Sequence, residues 1–126
     1  MTKSSKPTSN LIIKGKARED LSQFFSNTLD RKFTDAERVL DGLKNRNLGD
    51  PEFKEGYLAA LEGVLLSVRS GDERDFFNKL TFDTDKMEQY QQEFSEFSAS
   101  PIRTSYDMGF FSAWTDLFQY RINIKK

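Results

Sequence analysis

Phe53-Lys54-Glu55-Gly56-Tyr57-Leu58-Ala59-Ala60-Leu61-Glu62-Gly63-Val64-Leu65 decides how this 126-residue chain is read. Its pattern returns as Tyr106-Asp107-Met108-Gly109-Phe110-Phe111-Ser112-Ala113-Trp114-Thr115-Asp116-Leu117-Phe118. Aromatic, glycine, small and aliphatic positions coincide at a constant offset of 53. At 100° per residue, Phe53, Tyr57, Leu61, Val64, Leu65 and Val68 share one broad arc, with Glu55, Glu62 and Arg69 on the far side. The stretch is therefore an amphipathic helix. Beside its apolar arc runs a stripe of small residues: Gly56, Ala60, Gly63 and Ser67. A mid-helix glycine costs about 0.5–1 kcal/mol relative to alanine, and close approach of another backbone is the usual return. Gly56, Ala60, Gly63, Gly109 and Ala113 are thus expected to be helix-packing residues. The second copy carries Asp116 where the first has Gly63, a carboxylate expected near a helix crossing and so a candidate buried acid.

Working outward, Asp50-Pro51 starts the first glycine-bearing helix with a cap and an N1 proline, and Gly71 stops it after about Ser70. Upstream, Ala17, Leu21, Phe25, Leu29, Phe33, Ala36, Leu40 and Leu43 recur in unbroken phase. They predict one long helix over about 17–45, although Thr34-x-x-Glu37 resembles a capping box that would divide it. Downstream, a short helix is expected from Asp72 to Leu80. A further one carries Met87, Tyr90, Phe94 and Phe97 and ends before Ser98-Ala99-Ser100-Pro101. The last helix is expected over about Ser105–Arg121, capped by Thr104, with Ile122–Lys126 fraying. The expected fold is all-α: a compact helical bundle of two duplicated αα-hairpins, residues 17–71 and 72–121, related by pseudo-twofold symmetry. Residues 17–126 form the single domain. Residues 1–16 read as a flexible basic tail, with Leu11-Ile12-Ile13 as a short piece able to dock on the body.

The strings GYLAALEGVLL and GFFSAW resemble small uncharacterised all-helical proteins of archaea. The resemblance implies an intracellular helical protein and brings no activity with it.

Composition narrows the chemistry. The chain has no Cys and no His, which removes disulfides, thiolate sites, the commonest general base and the commonest metal ligand. No Gly-rich phosphate loop or zinc signature is present. No catalytic residue, metal or cofactor is expected. No apolar run approaches the ~20 residues of a membrane helix, and the expected location is cytoplasmic. Charge is segregated. Lys3, Lys6, Lys14, Lys16 and Arg18 at one end and Arg121, Lys125 and Lys126 at the other stand without an acid among them. The eleven bases between them face twenty acids.

Two functions fit best: a non-catalytic adaptor whose rigid acidic bundle presents a face to a protein partner, and an RNA- or ribosome-associated factor using its basic ends on phosphates. An enzyme built on carboxylates alone would need a cluster that the pattern does not supply.

Overall fold

The computed structural model describes residues 11–71, 84–98 and 104–125. They form an all-α bundle of α1 (Lys16–Leu29), α2 (Phe33–Leu43), α3 (Pro51–Ser70), α4 (Thr84–Ser98) and α5 (Ser105–Lys125). The expected tail residues 1–10, the short helix over 72–80 and the joint around Pro101 lie outside the described residues. Helix α5 is central, packed on α3 on one side and α4 on the other, while α1 pairs with α2. Among the described residues, no helix is long and apolar enough to cross a membrane.

Helix α3 has the signals read from its sequence. The Asp50 carboxylate accepts from the Phe53 N–H at 3.2 Å, and Gly71 closes the helix in the left-handed region at φ 66°. Thr104 caps α5 by accepting from the Asp107 N–H at 3.1 Å. The apolar arc of α3 buries Tyr57, Leu61, Val64, Leu65 and Val68. Met87 and Phe118 are fully buried between α4 and α5, where Tyr90 stacks on Phe118 with centroids 5.4 Å apart.

Gly56 and Gly109 set the distance between α3 and α5. A Cβ on Gly56 would overlap the Tyr106 carbonyl oxygen and lie 3.1 Å from the Phe110 nitrogen. One on Gly109 would overlap the Phe53 carbonyl oxygen and lie 3.0 Å from the Tyr57 nitrogen. Ala60 and Ala113 are buried on the same pair of helices.

Four expectations are corrected. The single helix over 17–45 is two helices. The α1 terminus closes in a Schellman turn, with Lys32 N–H donating to Asn27 O at 2.8 Å and Arg31 N–H to Thr28 O at 3.1 Å. Arg31 stands at its left-handed position, φ 63°. The apolar phase survives the break because α1 and α2 fold against each other and point their apolar faces into one core. The capping box does not form: α2 begins at Phe33, so Thr34 already lies within its first turn.

Gly63 is the second correction. It is exposed, and among the described residues nothing lies within 4 Å of where its Cβ would be. Among the described residues the close-packed stripe ends at Ala60, because no side chain or main chain covers α3 at Gly63. Third, α5 does not fray after Arg121; it runs to Lys125 with Ile122 and Asn123 buried. Fourth, residues 11–16 are not tail. Leu11 and Ile13 are core residues, and Lys16 opens α1 after Gly15 turns the chain at φ 75°.

Candidate functional site

What binds residues 11–13 to the body is a buried carboxylate. Asp116 stands on α5, completely inaccessible to solvent. Its Oδ1 accepts from the Ile12 N–H at 2.6 Å, and its Oδ2 accepts from the Ile13 N–H at 3.3 Å and from the Tyr57 hydroxyl at 2.6 Å. Arg18, in the first turn of α1, takes the other edge of the same segment. Its Nε donates to Ile13 O at 3.0 Å and its Nη2 to Leu11 O at 2.8 Å. The segment has no helix or sheet to satisfy its main chain, so these two side chains supply the partners that buried peptide groups require.

Burial raises the Asp116 pKa to about 6, against the hydrogen bonds from Tyr57, Ile12 and Ile13 and the charge of Arg18, all of which lower it. Burial also pushes the Tyr57 phenol well above its ordinary value, with the adjacent Asp116 carboxylate adding to the effect. The arrangement is a clip that ties α5 to α3 through Tyr57 and to the segment ahead of α1 through Ile12 and Ile13.

The basic candidates separate in the same way. Arg18 is committed to the two carbonyls. Arg121 is half-buried, and burial lowers its pKa. Lys14 and Lys16 are exposed. Lys3, Lys6 and Lys126 lie outside the described residues, as does the side chain of Lys125. Of the eight expected phosphate-binding residues, Lys14, Lys16, Arg18 and Arg121 thus have described side chains. Among the described residues, no group of three or more Asp or Glu is placed to hold a metal ion.

One surface feature lay outside the sequence reading. A cleft of about 360 Å³ runs between α2 and α3. One wall is Glu37, Leu40, Asp41 and Lys44; the other is Glu62, Leu65, Leu66 and Arg69. Both are i, i+3, i+4, i+7 stripes, the spacing of a helix face. Lys44 pairs with Glu62 at 3.5 Å across one end, and Arg69 pairs with Glu37 across the other. Leu40 and Leu65 are buried at its floor, whereas Leu66 on the rim is 61% exposed. The Arg69 guanidinium also lies 5.5 Å from the Phe33 ring centroid, and that of Arg31 lies 5.0 Å from it. Arg31 in turn donates to Val68 O at 3.0 Å in the last turn of α3. The cleft thus has a braced frame and an apolar rim. The signal for it was present in Leu66, an apolar residue set among Glu62, Gly63 and Arg69 on the polar side of α3.

Compared with known protein families, with curated proteins and with solved structures, the chain matches none.

Proposed function

We propose that this protein is a non-catalytic interaction protein, a rigid helical bundle that presents its α2–α3 face to a protein partner. The observation that carries this reading is Leu66, the most exposed large apolar residue described, at the rim of a cleft braced by two cross-helix ion pairs. An apolar groove with a charged frame suits a helix laid into it, read at i, i+3, i+4 and i+7. The test is affinity purification of the tagged protein from its native cells, with and without nuclease, beside a Leu66→Glu variant. A protein retained after nuclease and lost with Leu66→Glu is the expected result. An unchanged set of proteins in the variant would contradict the reading.

The bundle is further read as two related αα-hairpins, α2–α3 and α4–α5, with a cytoplasmic location. The reciprocal placement of Gly56 and Gly109, each against the other helix's main chain at the 53-residue offset, supports that relation.

A second reading rests on the charge segregation: the basic ends contact RNA or the ribosome while the acidic body stays directed away. Exposed Lys14 and Lys16 favour it. Its signature is retention that nuclease abolishes, with a strong salt dependence.

A further inference from the structure

Gly63 sits in the middle of a 20-residue helix, is exposed, and has no neighbour among the described residues that a side chain would meet. The propensity cost of a glycine there has no return among the described residues. Three residues on lies Leu66, 61% exposed. Glu62 and Arg69 flank this pair, placed almost symmetrically about the midpoint between Leu65 and Leu66. We infer that the α3 face centred on Leu66 is a homodimer interface, occupied by the same face of a second copy running antiparallel. This rests on the reading of the α2–α3 face as the working surface and names its occupant.

This face of α3 is self-complementary. A twofold axis perpendicular to two antiparallel helices keeps each residue on its own flank and reverses its height. With the axis near Leu65 and Leu66, Glu62 comes opposite Arg69 of the second copy, and Arg69 opposite Glu62, on the same flank. The two Leu66 side chains meet beside the axis. Gly63 lies on the other flank, where the absence of a side chain lets the helices approach, as Gly56 and Gly109 do at the crossing of α3 and α5. In one molecule Glu62 and Arg69 already pair with Lys44 and Glu37, so the dimer joins two local pairs into a network across the interface. A parallel arrangement would carry the second copy's Glu62 and Arg69 to the opposite flank and leave neither facing a counter-charge across the interface.

The test is sedimentation equilibrium of the full-length protein from micromolar to near-millimolar concentration, with circular dichroism confirming the fold of each variant. Concentration-dependent dimerisation is expected. Leu66→Glu, Glu62→Arg and Arg69→Glu should each weaken it at least about tenfold, and the fourfold reversal Glu37→Arg/Lys44→Glu/Glu62→Arg/Arg69→Glu, which keeps every pair within and between copies, should restore most of the loss. Because the chain has no cysteine, Leu66→Cys offers a second readout that does not depend on charge. Mild oxidation should link two copies through residue 66, whereas Glu52→Cys at the exposed start of α3 should not. A monomer at every concentration, or a dimer indifferent to these changes and to oxidation at residue 66, overturns the inference. A monomer that still loses a different captured protein on Leu66→Glu overturns self-association and leaves the adaptor reading standing. A monomer whose captured proteins are unchanged overturns both.

Discussion

Gly56 and Gly109 each abut the main chain of the other's helix. A methyl group on Gly56 would lie 2.8 Å from the Tyr106 carbonyl carbon, and one on Gly109 would lie 2.8 Å from that of Phe53. Main chain cannot swing aside as a side chain does, so either alanine must push α3 and α5 apart. Gly56→Ala and Gly109→Ala are each expected to destabilise by about 3 kcal/mol, the upper end for overpacking, even after the gain in helix propensity. Gly63→Ala meets open space and should stabilise the isolated chain by about 0.5–1 kcal/mol. Chemical denaturation of the three variants checks the opposite signs.

The Asp116 site makes stability depend on pH in a defined direction. Its folded pKa of about 6 lies above the ordinary 3.8, so between those values the native state binds more protons than the unfolded chain. Stability then falls as pH rises. The contribution is fully present below about pH 4 and is lost as pH passes 6. At 1.36 kcal/mol per unit, the change is about 3 kcal/mol. Denaturation midpoints measured from pH 4 to 7 should show this fall, and Asp116→Asn should flatten it.

Tyr57→Phe removes the hydroxyl that donates to Asp116 and leaves the ring in place. A buried hydrogen bond to a charged group contributes roughly 1.5–3 kcal/mol, and a loss in that range is expected. Deleting residues 1–13 should cost more, because it uncovers the sites of Leu11 and Ile13 and takes two donors from Asp116. Melting curves of both proteins check the order. A truncated chain as stable as the full one would show the clip to be dispensable.

Arg31 tests the joint between α1 and α2. Arg31→Gly and Arg31→Ala both lose the contacts to Val68 O and Phe33, but only alanine retains the left-handed cost of a Cβ. The glycine variant should be the more stable of the two by about 1 kcal/mol, read from urea midpoints.

The ends of α3 were legible in the sequence because they are local: Asp50, Pro51 and Gly71 act within one turn of themselves. The α3–α5 crossing was legible because a glycine in an apolar helix is costly without a close neighbour. That same logic misplaced Gly63, since spacing along one helix does not show how far a partner covers it. The break at Arg31 was hidden because an apolar phase can run through a turn when both helices face one core. An arginine in the left-handed region also leaves none of the signal a glycine would. The burial of Asp116 was foreseeable from its position in the small-residue sector. Its partners at Ile12 and Ile13, over 100 residues away, were not. The α2–α3 cleft joins two stripes that each look like a solvated helix face when read alone.

The most direct test of the account is a photo-crosslinking amino acid placed at residue 66, and separately at residue 14, in the protein expressed in its native cells. The account predicts a discrete protein adduct at residue 66 that survives nuclease, whether with a second copy or another protein. Adducts confined to residue 14 and removed by nuclease would contradict it, and would make the basic ends, rather than the α2–α3 face, the working surface.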